Sequence, residues 1–272
     1  MSKIWFITGA SRGFGRAFTE AALSRGERVA ATARDTKALQ DLVDVHGDAV
    51  LPLTLDVTDR QAVQEAVTAA HERFGRLDVV VNNAGYGLFG MVEEVTEQQA
   101  RAQMDTNFFG ALNVTQAVLP ILRGQGSGHI VQISSVSGVV AFPSVGLYHA
   151  SKWALEGLTE SLAKEVAPFG IKVTLVEPGA FSTDWRGSSA AHAAPIDVYQ
   201  PVRDALAAMA AQSKSGDPKA AAAALLKVVD AEQPPLRVLF GAGPIHLVKD
   251  VYTQRLQTWA DWEPVSIAAD GD

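Results

Sequence analysis

Two alternating periodicities constrain this chain more than any other feature. Short apolar runs at residues 3–8, 28–33, 50–55, 77–82, 129–134, 172–177 and 236–240 read as strands buried on both faces. Between them lie stretches with the apolar spacing of helices, notably 60–74, 98–122 and 147–166, and an alanine-rich run at 220–226. Strands exchanged for helices in this way predict an α/β fold, a parallel sheet covered by helices on both faces. Right-handed crossovers then give a doubly wound, seven-stranded sheet with strand order 3-2-1-4-5-6-7. The 272 residues suit one large domain or two small ones, and no linker, repeat or charge block interrupts the alternation, so a single domain over 1–272 is expected.

The first strand runs straight into Thr8-Gly9-Ala10-Ser11-Arg12-Gly13-Phe14-Gly15, and helical spacing resumes at Ala17, Ala21, Ala22 and Leu23. A strand, a glycine turn and a helix start make an anion cradle. Absent Cβ atoms let the backbone approach a pyrophosphate, and free N–H groups with the helix dipole favour its charge. The spacing is G-x-x-x-G-x-G, not G-x-G-x-x-G, and a tight turn with no ligand explains this loop alone equally well.

Later in the chain Ser135, Tyr148 and Lys152 offer a hydroxyl, a phenol and an amine. Tyr148 and Lys152 are four apart and share one face of a helix. A phenol ordinarily titrates at about 10 and is a poor acid or base at neutral pH. A nearby ammonium favours the phenolate, so this spacing predicts a phenol tuned downward and able to exchange a proton with a carbonyl or alcohol oxygen. Ser134 points to the opposite face of its strand and is rejected in favour of Ser135. His149 is read as packing or surface.

Taken together these segments resemble the classical short-chain dehydrogenase/reductase family over roughly residues 3–183. The glycine loop matches the family's T-G-x-x-x-G-x-G, Asn82-Asn83-Ala84-Gly85 its N-N-A-G, and Tyr148 with Lys152 its Y-x-x-x-K. Asn107 falls at the family's catalytic asparagine, and Pro178, Gly179 and Thr183 match its P-G-x-x-x-T. The wording of Ala31-Thr32-Ala33-Arg34-Asp35 looks most like the branch around 17β-hydroxysteroid and retinol-type dehydrogenases. The resemblance implies a Rossmann fold, hydride transfer with a nicotinamide cofactor, and Asn107, Ser135, Tyr148 and Lys152 as catalytic residues. Tyr148 is then the general acid/base, Ser135 holds the substrate oxygen, and Lys152 biases Tyr148 and holds the nicotinamide ribose. Asn107 positions a water that links Lys152 to solvent.

For the cofactor, the resemblance places Gly9, Ser11, Arg12, Gly13, Phe14 and Gly15 at the phosphates, and Asp56 and Val57 at the adenine. Asn83, Ala84 and Gly85 line its path, with Asn83 shaping the turn more than touching the ligand. Tyr148, Lys152, Pro178, Gly179, Phe181 and Thr183 surround the nicotinamide end. At the close of the second strand the position used by an acid in NAD enzymes is Ala33, followed by Arg34. Arg34 with Arg12 makes a charge-assisted site for a 2′-phosphate, which favours NADP(H) over NAD(H). Asp35 lies two residues late and is read as a helix cap.

Ligands of such sheets bind beyond the carboxyl ends of the strands. The segment of about 180–215 is therefore expected to form a substrate lid, and about 244–262 an added C-terminal helix. Val136, Phe142, Val145, Phe181 and Trp185 are candidate pocket walls beside Ser135 and Tyr148, with Phe89 further out. Their apolar character suggests a ketone, aldehyde or secondary alcohol that is itself apolar or aromatic.

Composition narrows the alternatives. A net charge of −7 argues against a nucleic-acid surface, and the absence of cysteine excludes disulfides and thiolate chemistry. His46, His71, His129, His149, His192 and His246 lack ligand spacing, so no metal is assigned. No apolar run has the length of a membrane span and the amino terminus lacks signal-peptide character, so a cytoplasmic location is expected. The resemblance implies a homodimer or homotetramer built on the fourth and fifth helices. The competing reading is a catalytically silent NADP(H)-binding sensor or interaction protein on the same fold.

Overall fold

The computed structural model of the chain describes residues 2–211 and 214–271. Residues 212 and 213, inside the segment expected to form the lid, lie outside the described residues, as do residues 1 and 272. In chain order the strands are β1 (Ile4–Ile7), β2 (Arg28–Ala33), β3 (Val50–Thr54), β4 (Val79–Asn82), β5 (Leu88–Phe89), β6 (Gly128–Ile133), β7 (Ile171–Pro178), β8 (Ala191–His192) and β9 (Arg237–Phe240). The helices are α1 (Gly13–Ser24), α2 (Gln40–His46), α3 (Arg60–Phe74), α4 (Glu97–Met104), α5 (Gly110–Gln125), α6 (Gly146–Val166), α7 (Gln200–Ala211), α8 (Pro218–Asp230), α9 (Ala242–Asp261) and α10 (Glu263–Ala268).

Seven strands form one parallel sheet in the order β3-β2-β1-β4-β6-β7-β9, while β5 and β8 make a separate short parallel pair. Counting only the strands of the large sheet, this is the doubly wound order read from the alternation. The order reverses between β1 and β4, and the crevice at that switch point is where ligands of such sheets bind.

Residue parity along the strands sorts the core into two layers. Trp5, Ile7, Val29, Ala31, Val79, Val81 and Val131 pack with α1 and α8 on one face. Ile4, Phe6, Ala30, Val80 and Ile130 pack with α3, α5 and α6 on the other. Burying both faces explains why each strand reads as an unbroken apolar run and not as alternation. Each large apolar side chain so buried contributes about 1.5–3 kcal/mol. Trp5 brings one polar atom into the layer, and its Nε1 donates to Glu27 at 2.6 Å.

The stretch 98–122 departs from a single regular helix. Here α4 and α5 are joined by a π-helical turn, Asp105–Phe109, in which the Gly110 N–H reaches back five residues to the Asp105 carbonyl. The insertion re-phases the two halves, and Asn107 lies inside it. Such turns concentrate at functional sites. The added helix at the C-terminal end runs from Ala242 to Asp261 and is followed by α10. Its apolar side chains Leu256, Trp259 and Trp262 stand exposed.

Candidate active site

The carboxyl end of β6 delivers Ser135, which opens a short 3-10 turn at Val136–Gly138. The chain then enters α6 through Ser144, whose φ of 74° is left-handed. That conformation costs a non-glycine residue about 1 kcal/mol or more. It is held by the Gly90 N–H donating to the Ser144 carbonyl at 2.7 Å and by a bridge between Gly90 and Val145. The entry angle so fixed turns Tyr148 and Lys152 inward, and both are buried.

Ser135 accepts from the Ser137 N–H at 3.1 Å and donates to the Pro178 carbonyl at 3.4 Å. Its hydroxyl also faces the Tyr148 phenol and favours the phenolate. Lys152 donates to the Ile133 carbonyl at 2.8 Å, and its Nζ stands 5.8 Å from the centre of the Tyr148 ring. Burial dominates both groups. It pushes the phenol up to about 12, with the Ser135 hydroxyl working against it. It pulls the amine down to about 8, with the charge of Glu156 opposing. The downward tuning of the phenol expected from the i, i+4 spacing is therefore not met. Desolvation penalises the phenolate more than its neighbours favour it, and the ammonium is directed at a backbone carbonyl.

Asn107 is pinned from three sides. Its Oδ1 accepts from the Tyr86 N–H at 3.0 Å, and its Nδ2 donates to the Tyr86 carbonyl at 3.0 Å and to Ser151 Oγ at 3.1 Å. A Cβ at Gly85 would lie 3.0 Å from Asn107 Oδ1 and 3.8 Å from Lys152 Nζ, so asparagine and lysine flank the same strip of backbone.

The glycine loop lies beside this cluster at the sheet's switch point. Gly9 has φ +67°, and a Cβ there would sit 3.1 Å from both Ala84 Cα and Asn83 Nδ2. A side chain on Gly15 would run into the Gly9 carbonyl. At Gly9 and Gly15 the loop is thus closed to a Cβ, and its backbone leads into the N-terminus of α1, the end of a helix that favours an anion. Asn83 donates its side-chain amide to the carbonyls of Thr8 at 2.9 Å and Gly9 at 3.1 Å, bracing the loop. Thr8 Oγ1 accepts from the N–H groups of Asn83 and Ala84.

Asp35 caps the turn after β2, accepting from the Lys37 N–H at 2.9 Å, as a helix cap should. Asp56 accepts from the N–H and hydroxyl of Thr58, and Asp59 caps α3. Val57 is buried against Gly110. Arg34 is exposed, near enough to Asp56 to lower its pKa, and makes no hydrogen bond or ion pair among the described residues. Arg12 is already engaged: it donates to Asp184 at 2.9 Å, Ser189 at 3.1 Å and Ser188 at 3.3 Å, tying the glycine loop to the segment beyond β7. A dinucleotide fits this arrangement: Gly9 and Gly15 leave no room for side chains at the N-terminus of α1, and Arg34 stands exposed beyond β2.

The structure brings some expected pocket residues together and separates others. The Trp185 ring lies 5.1 Å from the Tyr148 ring and 5.1 Å from that of Phe89, which in turn stacks on His192 at 5.2 Å. Val136 and Val145 are buried beside this group. Phe181, expected as a wall, packs at 5.0 Å on Phe14 of α1 and against Gly216. Thr183 faces Gly13 and caps the turn that carries Trp185. Pro178 supplies the carbonyl for Ser135, and the Gly179 N–H donates to the Phe240 carbonyl. Phe142 is half-exposed and lines an open hollow of about 520 Å³ with Met91, Val92, His149 and Tyr199.

Sequence reasoning passed over two structural supports. His149 is buried, with Nδ1 2.8 Å from the Ser137 carbonyl and Nε2 3.1 Å from the Phe142 N–H, so it staples the Ser135 loop onto α6. Glu94 accepts from the Ile196 N–H at 2.8 Å and from Arg203 at 2.6 Å, anchoring the far end of the expected lid. Neither carries a local signal, because each partner is distant in sequence or is a backbone group.

Comparison with known proteins agrees with this geometry. A family model described as short chain dehydrogenase matches residues 3–194, and the chain belongs to that family. An oxidoreductase of Botryotinia fuckeliana is 43% identical over 273 residues, covering 99% of this chain and 100% of its own length. A protein of Bacteroides thetaiotaomicron named 3-ketodihydrosphingosine reductase is 39% identical over 243 residues, 88% of each chain. Among solved structures, a short-chain dehydrogenase from Streptomyces avermitilis superposes with a TM-score of 0.92 at 41% identity and 98% coverage of both chains. Two further relatives, each 28% identical, were solved with different dinucleotides. That of Burkholderia cenocepacia holds NADP (TM-score 0.76, 96% and 97% covered) and that of Burkholderia phymatum holds NAD (TM-score 0.80, 93% and 95% covered). The protein is an NAD(P)-dependent oxidoreductase acting on a small molecule. Among the described residues no helix is long and apolar enough to cross a membrane.

Proposed function

We propose that the protein is an NADP(H)-dependent carbonyl reductase or alcohol dehydrogenase for apolar or aromatic ketones, aldehydes or secondary alcohols. The observation that carries this reading is the buried cluster of Ser135, Tyr148 and Lys152 under Trp185, beside a glycine cradle at the switch point. The nicotinamide, when bound, supplies or accepts the hydride. Ser135 donates to the substrate oxygen and holds it at Tyr148. Tyr148 gives its phenolic proton to that oxygen in reduction and takes one from the alcohol in oxidation. A phenol kept neutral by burial is suited to the donating direction. Lys152 brings the positive charge that offsets the phenolate left behind. Asn107, pinned inside the π-turn, keeps the path from Lys152 toward solvent open.

Gly9, Ser11, Gly13, Phe14 and Gly15 would hold the phosphates and Asp56 and Val57 the adenine. Ala84, Gly85, Pro178, Gly179 and Thr183 would shape the nicotinamide end. Arg34 supports NADP(H), being exposed and without a hydrogen-bonded or ion-paired partner among the described residues. Arg12 enters the 2′-phosphate site only by sharing its guanidinium with Asp184. The aromatic wall of Phe89, Trp185 and His192 supports an apolar substrate, as does the keto-reductase name of the Bacteroides relative. Residues 31–35 support the narrower likeness to 17β-hydroxysteroid and retinol-type dehydrogenases. We read the chain as one domain with a lid over about 180–215 and a C-terminal helical extension, working as a homodimer or homotetramer in the cytoplasm.

A panel of aromatic and alkyl ketones, each with NADPH and with NADH, tests the reading by loss of reduced cofactor. Turnover with NADPH preferred is expected, whereas tight dinucleotide binding without turnover across the panel would favour the silent sensor. Arg34→Asp is expected to cut the NADPH over NADH ratio about 10–100-fold, the worth of a charge-assisted contact.

A further inference from the structure

Behind Lys152 lies a set of buried charges that the reaction above does not use. Tyr148, Lys152 and Glu156 are spaced four apart and follow one face of α6 into the protein. Glu156 is 5% exposed, and Glu177, on the neighbouring β7, is 4% exposed. The two acids share one guanidinium. Arg237 of β9 donates to Glu156 at 3.0 Å, lies 3.6 Å from Glu177, and reaches outward to Glu160 at 2.9 Å.

Three buried oxygens here, Ser134 Oγ, Glu156 Oε1 and Glu177 Oε1, have no geometrically satisfactory hydrogen bond among the described residues. A Cβ built on Gly138 would lie 2.7 Å from Ser134 Oγ and 3.1 Å from Glu156 Oε1, so hydroxyl and carboxylate crowd the same point under the Ser135 turn. Unmatched buried carboxylates are costly and are seldom kept for stability alone.

The groups facing this cluster can be named. Tyr148, Lys152, Glu156 and Glu160 come from α6, Glu177 from β7 and Arg237 from β9. Tyr86 and Asp105 lie on the Asn107 side. Ionised together, two buried carboxylates against one exposed guanidinium leave a negative charge that a protonated Lys152 balances. Burial pushes both acids up, and their mutual repulsion adds to it on Glu177, which rises to about 7, so the pair retains a proton readily on that member.

We propose that Glu156 is a positioning residue for proton transfer: its carboxylate, one turn below Lys152 and anchored by Arg237, keeps the buried amine protonated at neutral pH, while Glu177 is the member of the pair that holds a proton. This rests on the proposed role of Lys152 beside Tyr148. It assigns the alkaline limit of turnover to a residue that touches neither substrate nor cofactor. Lys152 bears its charge below a midpoint of about 8, and Glu156 works against the desolvation that pulls it lower. Turnover in the reducing direction should fall as pH rises through that midpoint.

The test reads Lys152 directly, so it does not depend on finding a substrate. The intact protein is labelled with 13C-lysine, the Lys152 side-chain signal is identified by its loss in Lys152→Met, and its midpoint is followed by NMR between pH 5 and 11. Glu156→Gln keeps the side chain's size and is expected to lower the midpoint by about one unit. Glu156→Asp should restore part of it. Glu160→Gln removes only the outer partner of Arg237 and should leave it in place. Glu177→Gln relieves repulsion on Glu156 and should hold the midpoint or raise it.

An unmoved midpoint in a folded Glu156→Gln protein overturns the proposal, and so does an equal fall in Glu177→Gln. If a ketone is turned over, the alkaline limb of kcat should shift with the midpoint at unchanged cofactor KM. If the midpoint shifts but no ketone is turned over, the electrostatic assignment stands and the enzymatic reading fails.

Discussion

Along the inner face of α6, Tyr148, His149, Lys152 and Glu156 are each about 5–6% exposed, whereas Trp259 on α9 is 63% exposed and Leu256 is 60% exposed. One helix hides polar groups and the other displays apolar ones. The costs are not symmetric. A buried polar group without a partner costs about 1–3 kcal/mol. A solvated apolar side chain is ordinary on a protein surface. On α6 these groups are therefore tied to something specific: Tyr148 to the Trp185 ring, His149 to the 137–142 loop, Lys152 to Ile133, Glu156 to Arg237. On α9, among the described residues, the ring contacts are those of Arg255 with Tyr252 and Trp153. Polar burial marks where chemistry is held, while apolar exposure alone marks nothing that the chain's own stability requires.

That contrast can be broken most directly at Tyr148. Tyr148→Phe removes the proton donor but little packing, so turnover should fall about 10²–10⁴-fold while dinucleotide affinity and urea midpoint stay close to wild type. Retained activity would place the acid elsewhere. A smaller effect is expected from His149→Ala, which strips partners from the Ser137 carbonyl and Phe142 N–H. It should cost about 1–3 kcal/mol in urea unfolding and disturb the Ser135 loop. No loss would mean that the staple is not structural. The smallest effect belongs to Trp259→Ser on α9, expected within about 0.5 kcal/mol of wild type at low protein concentration. A loss of several kcal/mol would show that this face is covered in solution, and a concentration-dependent loss would identify a second copy as the cover.

Acid should reach the lid only after Glu177 of the core cluster has taken its proton. Ser189, Ser188 and Arg12 hold the Asp184 carboxyl well below the usual carboxylate range. A depressed carboxyl contributes stability that is complete above its unfolded pKa of about 4 and is lost as pH falls through the folded value. Intrinsic fluorescence of Trp185, read against Trp185→Phe, should therefore stay constant from pH 8 to about 5 and change only in stronger acid.

The fold was largely legible because both faces of the sheet are buried. Runs such as Ile4 to Ile7 and Val79 to Val81 have no polar residue to confuse them, and the glycine loop marks the first crossover. Asp35 could be read as a cap because a cap acts within two residues. The π-turn was not legible, since one inserted residue leaves helical apolar spacing intact on either side of Asn107. Nor were Arg12 with Asp184, 172 positions apart, or Glu156 with Arg237, 81 apart. Such pairs are decided by how crossovers bring strand ends together. Proximity of Tyr148 and Lys152 on one helix face was correctly read from spacing. Its electrical result was not, because burial depends on what the rest of the chain lays over that face.

Arg12 gives the molecule a mechanical link between its two halves. Its guanidinium joins the floor of the nucleotide cradle to the turn bearing Trp185, which roofs Tyr148. Any anion that settles beside Arg12 must share that side chain with Asp184 or win it outright. An anion that drew Arg12 away from Asp184 would loosen the turn that bears Trp185.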